Sequence, residues 1–191
     1  LSRPTTQDTL DKVRHLVGGN YAVTFPATVP LHQRVLWPAT PAESNGMEDA
    51  RFVQVADPDG RPAYQATYTA YDGRHISGRV IFSRDLRHFE VTALHGPAAR
   101  NKGMALFPRY VGGRKLALCR SDGETLGLAV RDEQHRWQHV GPLLSPHRGW
   151  DLIQVGNCGS PVETEGGWLV LTHGVGPMRR YAIGAMLLDL E

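Results

Sequence analysis

The sequence predicts an all-β fold built from repeated units, and three observations support this. Short apolar stretches with the alternation typical of strands are separated by turns, and the 191 residues include 21 glycines. A polar segment that leads into such a strand occurs at Asp49, returns 53 residues later at Lys102, and returns 55 residues after that at Asn157. A glycine-bearing turn and a second strand follow each segment. A period of this size, filled with short strands and turns, is typical of the blades of a β-propeller.

The length of the chain limits how much of a propeller it can form. One repeat takes about 55 residues, so the 191 residues supply three full blades and part of another. Closed propellers have about 4–8 blades. We therefore expect residues 1–191 to be a single, partial propeller domain, either a fragment of a longer chain or an open assembly.

The elements before the first full blade have three different patterns. Residues 1–19 are predicted to be a helical or flexible segment, because apolar residues within it have helical spacing and Gly18-Gly19 end the run. Residues 21–25 alternate like a strand, and residues 34–37 form a second such stretch between prolines. We assign both to an incomplete first blade. The loop 38–47 carries the chain toward the active face.

Each full blade is predicted from the same order of strands. The inner strand begins at the polar segment, and the following strands are separated by turns. The last predicted strand, residues 181–190, is apolar enough to be buried, and Gly184 within it favours a strand over a helix. Besides the inner-strand starts, the predicted strands are 52–55, 64–71, 75–83 and 90–94; then 115–120, 125–130 and 137–140; then 162–164, 168–173 and 181–190.

Composition excludes several classes of function. The chain is 41% hydrophobic and 21% charged, which is typical of a soluble globular protein, and its net charge of +2 and scattered arginines do not predict a nucleic-acid partner. No apolar run approaches the roughly 18 residues of a membrane span, so no membrane partner is expected. The two cysteines form no disulfide framework and favour a reducing, cytoplasmic location. The sequence leaves homo-oligomerisation open.

The repeat also predicts where a functional site lies. Inner strands line the central channel of a propeller, so Asp49, Lys102 and Asn157 are expected around one opening. These residues differ in chemistry, which a purely architectural repeat would not require. No metal site is expected, because the nine histidines lack a ligand spacing. A nucleophile elbow and glycine-rich phosphate motifs are also missing from the sequence.

The acidic pair that precedes Arg51 is the first candidate for chemistry. Adjacent residues on an extended segment point to opposite faces, so only one of Glu48 and Asp49 can face the channel while the other anchors a neighbouring loop. A carboxylate there could donate a proton to a leaving group. The alternative is a salt bridge between Asp49 and Arg51. Lysine and arginine side chains nearby suit an anion. His173 is a further candidate for this site, and the alternative is that it is a buried structural histidine.

Several motifs occur in the order found in a known family. They are Glu48-Asp49-Ala50-Arg51-Phe52, then 67–73, then 101–108, and finally 163–174 with 181–189. Together they resemble glycoside hydrolase family 130, the β-mannoside phosphorylases and related β-mannosidases. The resemblance extends from Gly46 to the C-terminus. It implies a five-bladed β-propeller of which roughly the first blade is missing here.

The resemblance implies a reaction and a set of site residues. Asp49 matches the aspartate of the family's Glu-Asp-Pro-Arg motif, which acts as the general acid through a sugar hydroxyl. Inorganic phosphate, with no other cofactor, then attacks the anomeric carbon with inversion and releases mannose 1-phosphate from the oligosaccharide. The implied phosphate-binding residues are Arg51, Lys102, Arg120, His173 and Tyr181, and the implied substrate-binding residues are Glu48, Tyr71, Asp72, Asn101 and Glu163.

Two departures from the family pattern indicate a divergent branch. Ala50 replaces the usual proline, and Gly103 replaces the usual aspartate after Lys102. Two alternatives therefore stay open. One is an inverting β-mannoside hydrolase with Glu163 or Asp72 as the base, and the other is a non-catalytic carbohydrate-binding propeller.

Overall fold

The structure, a computed structural model, describes residues 19–56 and 59–190. The predicted N-terminal segment 1–19 lies outside this part except for its last residue. The described residues form three antiparallel sheets. In chain order the strands are β1 (Tyr21–Thr24), β2 (Gly46–Ala56), β3 (Pro62–Tyr71), β4 (Ile76–Ser83) and β5 (His88–Ala93); β6 (Ala105–Leu106), β7 (Leu116–Cys119), β8 (Leu126–Arg131) and β9 (Trp137–Leu144); and β10 (Gln154–Asn157), β11 (Val162–Thr164), β12 (Gly167–Val175) and β13 (Tyr181–Leu188).

Helical structure in the described residues is limited to short 3-10 turns. They are Leu31–Gln33, Pro41–Glu43, Pro97–Ala99 and Pro177–Arg179. No helix among the described residues has the length and apolar character needed to cross a bilayer.

Consecutive sheets pack face to face, which confirms the all-β, blade-like arrangement. In β7, Ala117 and Cys119 belong to the core shared with the first sheet, whereas Leu118 belongs to the core shared with the third. Trp137 fills the first of these cores and Trp168 the second. β7 and the first half of β8 lie between the two cores, and this explains why they are apolar at successive positions instead of alternating.

The strand expected to start a separate first blade instead joins the first full one. β1 pairs antiparallel with β5, with Tyr21 opposite Val91, and the sheet order is β1-β5-β4-β3-β2. This pairing covers the outer edge of β5, which would otherwise expose unpaired backbone groups. The predicted strand at 34–37 is wrong, because the chain there has no partner strand and lies between prolines.

The segment between β1 and β2 packs on the outer face of the first sheet. The carboxylate of Glu43 is fully buried and accepts hydrogen bonds from the hydroxyls of Tyr68 and Tyr21 and from the backbone N–H groups of Ala39 and Thr40. Burial alone would raise the pKa of Glu43, but these hydrogen bonds outweigh it and lower the pKa. The buried carboxylate therefore fastens the segment that leads into β2.

The last strand is formed as predicted but is only half buried. The side chains of Tyr181, Ile183 and Leu187 are exposed on the outer face of the third sheet and alternate with half-buried ones. The inner side of the same sheet packs against the second sheet through Trp168 and Val170.

Candidate active site

The three polar segments of the repeat contact one another, although Asn157 ends β10 and does not begin an inner strand. The ammonium of Lys102 forms an ion pair with Glu48 at 2.5 Å, which joins the first sheet to the second. The amide of the fully buried Asn157 donates to the carbonyl oxygen of Gly103 at 2.6 Å, which joins the third sheet to the second. Segments more than 50 residues apart in sequence thus meet at one place.

A β-bulge shapes the first of these segments. Glu48 pairs with Thr69 and Arg51 pairs with Thr67, so two residues of β2, Asp49 and Ala50, occupy the place of one. Asp49 has a φ of 57°, in the left-handed region that aspartate tolerates better than most residues. The extra residue turns Glu48 and Arg51 toward the same face of the sheet, which is the face directed at the second sheet.

The bulge leaves the carboxylate of Asp49 available. Arg51 donates from Nη1 to the backbone oxygen of Asp49 at 3.0 Å instead of to its side chain. Within the described residues no hydrogen bond or ion pair engages the exposed carboxylate itself. The anchoring role expected for one member of the acidic pair is taken by Glu48. This arrangement excludes the simple salt bridge that was the alternative for Asp49.

Arg120 and His173 form the opposite side of the site. Nη1 of Arg120 lies 3.3 Å from Nε2 of His173. Arginine can only donate, so Nε2 of the imidazole accepts and its proton is on Nδ1. A side chain on Gly156 would block this contact, because a Cβ there would lie 2.8 Å from Nη1 of Arg120 and 2.9 Å from Cε1 of His173. The ring of Tyr181 stacks on His173 with centroids 6.3 Å apart.

The electrostatics of these groups indicate a site for an anion. Burial lowers the pKa of Arg51, of Arg120 and of His173. Mutual repulsion adds to this, because Arg51 lowers the pKa of Arg120 and both arginines lower the pKa of His173, while Asp49 acts in the opposite direction on all three. The Nε atoms of Arg51 and Arg120 are buried and have no hydrogen-bond partner. Buried cationic donors without partners are costly unless an anion is bound.

Two residues of this site were missed from the sequence. Gly156 precedes Asn157 in β10, and a glycine inside a strand marks a position where another group approaches closely, so this signal was present. Cys158 follows Asn157 and is exposed. Burial raises its pKa, although nearby Arg51 opposes the shift. No local pattern pointed to that thiol.

Glu163 does not lie with these groups. It pairs with Arg109, whose Nη2 is 2.5 Å from Oε1, and Arg109 lies over the ring of Trp168. Glu163 is opposite Trp168 on β12, and Trp168 is five residues from His173 along that strand. At about 3.3 Å per residue this separation is about 16 Å. The structure therefore does not bring Glu163 to the site, either as a substrate contact or as a base.

Two other predicted substrate residues hold the β3–β4 turn. Oδ1 of Asp72 accepts from the backbone N–H groups of His75 at 2.6 Å and Arg74 at 2.7 Å, and these bonds, that of His75 first, lower the pKa of Asp72 to about 2. The hydroxyl of Tyr71 donates to the carbonyl oxygen of Gly73 at 2.8 Å. A carboxylate that accepts two backbone bonds and has so low a pKa is a weak base.

Asn101 and Lys102 lie at the junction but are engaged locally. Oδ1 of Asn101 accepts from the backbone N–H of Lys102 at 2.7 Å. The ammonium of Lys102 pairs with Glu48. Their predicted contacts with phosphate and sugar stay predictions.

Known proteins resemble this chain in sequence and in fold. A Beta-1,2-mannobiose phosphorylase from Listeria innocua is 29% identical over 162 residues, 82% of this chain and 44% of that protein. A 1,2-beta-oligomannan phosphorylase from Thermoanaerobacter sp. (strain X514) is 31% identical over 167 residues, 84% of this chain and 53% of that protein. The chain thus spans about half the length of these relatives.

The structural comparison leads to the same group. The solved Listeria innocua phosphorylase in complex with beta-1,2-mannobiose superimposes with a TM-score of 0.69 at 29% identity, over 81% of this chain and 44% of that one. The neighbours of this family are five-bladed β-propellers, which confirms the fold class expected from the repeat and the motifs. The family profile described as beta-1,4-mannooligosaccharide phosphorylase matches residues 20–191. The chain therefore belongs to glycoside hydrolase family 130.

Proposed function

We propose that this chain forms the catalytic part of a β-mannoside phosphorylase, with inorganic phosphate as its co-substrate. The observation that carries the proposal is the cluster of Arg51, Arg120 and His173. The buried Nε donors of Arg51 and Arg120 have no hydrogen-bond partner, and the cluster lies beside the unpaired carboxylate of Asp49. A hydrolase needs a second carboxylate to activate water, whereas a phosphorylase needs cations to hold a nucleophile that is already charged.

In the proposed reaction Asp49 is the acid and phosphate is the nucleophile. Phosphate held by Arg51 and Arg120 attacks the anomeric carbon, and the bond from that carbon to the glycosidic oxygen breaks with inversion. The leaving oxygen takes a proton from Asp49, either directly or through a sugar hydroxyl. Hydrogen phosphate gives up its own proton when it becomes the ester, and this proton restores the acid form of Asp49, so the reaction consumes no proton overall.

The placement of the other carboxylates supports phosphorolysis over hydrolysis. Glu163 is paired with Arg109 about 16 Å from His173 along β12, and Asp72 is held in a turn. We propose that Glu48 and Lys102 act together to hold two inner strands at the mouth of the site. The relatives named above are phosphorylases of β-1,2-linked mannosides, so we propose a β-1,2-mannoside as the substrate. We propose the cytoplasm as the location on the cysteine content alone.

The experiment is to incubate the purified protein with β-1,2- and β-1,4-mannobiose, with and without inorganic phosphate, and to detect mannose 1-phosphate by ³¹P NMR. We expect phosphate-dependent release from the β-1,2 disaccharide. Arg120→Gln should raise the phosphate concentration that gives half-maximal rate. Arg136→Gln, at an exposed position between β8 and β9, should leave this concentration unchanged. Equal release of free mannose with and without phosphate would identify a hydrolase instead.

A further inference from the structure

A second group of cations lies in a cleft between the first and second sheets, away from the site at Asp49. Two cavities of about 380 Å³ and 220 Å³ open there, and Gln65, Phe82 and Lys115 line both of them. Gln65 is two residues along β3 from Thr67, the partner of Arg51. The backbone of the cleft is therefore about 7 Å along the strands from that of Arg51, at the nearest edge of the proposed active site.

Two like charges face each other inside this cleft. The backbone N–H of Arg131 donates to the carbonyl oxygen of Lys115 at 3.0 Å, and the next pair in the ladder is Leu116 opposite Val130. Residues directly opposite each other in a sheet present their side chains on the same face, and both cations line the cavity of about 220 Å³. Like charges directly opposite each other destabilise a sheet.

No carboxylate in the described ranges 19–56 and 59–190 forms an ion pair with either cation. The ammonium of Lys115 donates to the neutral Oε1 of Gln65 at 2.9 Å. Burial, and then the charge of Arg131, lower the pKa of Lys115 to about 8. Glu90 lines the cavity, but its carboxylate is exposed and forms no ion pair with Lys115 or Arg131.

The remaining titratable groups of the cavity do not supply the missing negative charge. His95 and His135 line its wall together with Trp137. Imidazoles are neutral or positive, so they do not offset the two cations. A partly buried pair of cations with only a neutral amide as partner is an arrangement that an oxyanion would stabilise.

We propose that Lys115 and Arg131 bind the phosphate group of a small ligand in this cleft, at a site separate from the catalytic one. The planar fork of arginine suits phosphate bidentately, and lysine adds a compact charge. The adjoining cavity of about 380 Å³ is walled by Phe82, Phe107 and Tyr110, and also by Arg109, whose charge is paired with Glu163. Such a wall suits the uncharged part of a sugar phosphate, while free inorganic phosphate would need the two cations alone.

Selective chemistry at lysine tests this proposal, since the chain has only Lys12, Lys102 and Lys115. The rate of amine acylation at each lysine is measured by mass spectrometry at pH 8. The measurement is made with inorganic phosphate, with a hexose 1-phosphate, and with sodium chloride at matched ionic strength. We expect phosphate to slow acylation of Lys115 at least fivefold while sodium chloride does not. A stronger effect of the hexose 1-phosphate would identify a sugar phosphate as the ligand.

Two variants separate the cleft from the proposed active site. Arg120→Gln should keep the protection of Lys115, and Arg131→Gln should abolish it; the latter is expected to fold because it removes one of two repelling charges. Calorimetric titration of inorganic phosphate gives a second readout, in which Lys115→Gln removes the binding that Arg120→Gln leaves. The proposal is overturned if neither readout shows a phosphate effect at Lys115, or if Arg120→Gln removes that effect.

Discussion

Gly156 provides the sharpest test of the proposed phosphate site. Replacing it with alanine places a Cβ 2.8 Å from Nη1 of Arg120 and 2.9 Å from Cε1 of His173, where ordinary contacts begin at 3.4 Å. Each group must therefore move by about 0.5 Å or more. The groups that meet this Cβ are side-chain atoms, so we expect the strand to remain and the alignment of the cations to be lost.

The size of the effect follows from the hydrogen bond that is disturbed. A hydrogen bond to a charged group contributes about 1.5–3 kcal/mol. Losing the alignment of one should weaken phosphate binding by on the order of 10- to 100-fold. The assay is the initial rate of phosphorolysis as a function of phosphate concentration, with the KM for the disaccharide measured in parallel. We expect kcat/KM for phosphate to fall while the disaccharide KM changes little.

Gly141→Ala is the matched control, because a Cβ at that strand position would have no atom within 4 Å. It should leave both parameters unchanged. If folded Gly156→Ala binds phosphate within twofold of the parent protein, Arg120 and His173 do not form the phosphate site as described. A parent protein without any phosphate-dependent turnover would instead reject the proposed phosphorylase function.

Three further predictions concern acid catalysis, pH dependence and stability. Asp49→Asn should lower the phosphorolysis rate by about 10²- to 10⁴-fold without weakening phosphate binding, because asparagine tolerates the left-handed backbone but cannot donate the proton. A variant that keeps a tenth of the activity in kinetic assays would contradict the role of Asp49 as the acid. The pKa of His173 is lowered in the folded state, so the free energy of unfolding should fall as the pH drops below about 6.5. In urea titrations at pH 7.5 and 5.5, His173→Asn should lose less stability between the two pH values than the parent protein. An equal loss would show that His173 does not have a lowered pKa. Glu43→Gln should cost about 1–3 kcal/mol in urea unfolding at pH 7, because hydroxyl and backbone donors lose a charged acceptor. The pKa of Glu43 is lowered, so this difference should shrink as the pH falls below about 4.5, and a variant as stable as the parent at pH 7 would show that the carboxylate is dispensable.

The parts of the fold that the sequence predicted depend on local patterns. The strands of the three full blades follow from short apolar stretches and from turns such as Gly112-Gly113, which act over a few residues. The 53- and 55-residue spacing then predicts that Asp49, Lys102 and Asn157 surround one opening, because equivalent strands of a repeat occupy equivalent positions.

The parts that the sequence did not predict depend on contacts between distant segments. The pairing of β1 with β5 was missed because the edge of a sheet accepts any suitable strand, and no local signal specifies which. The stretch 34–37 has the alternation of a strand but no neighbour to pair with. Glu163 belongs to a matching motif, yet β11 places it at the end of the sheet occupied by Trp168.

By itself, the sequence determined the all-β repeat, the family motifs and the three polar segments that meet, because periodicity and turn chemistry are encoded over short distances. Only the tertiary structure decided which charges are paired. A one-residue bulge turns Glu48 toward Lys102 and leaves the Asp49 carboxylate unpaired, and a missing side chain at Gly156 lets Arg120 reach His173. These outcomes depend on side-chain directions and distances across sheets, which a linear pattern does not contain.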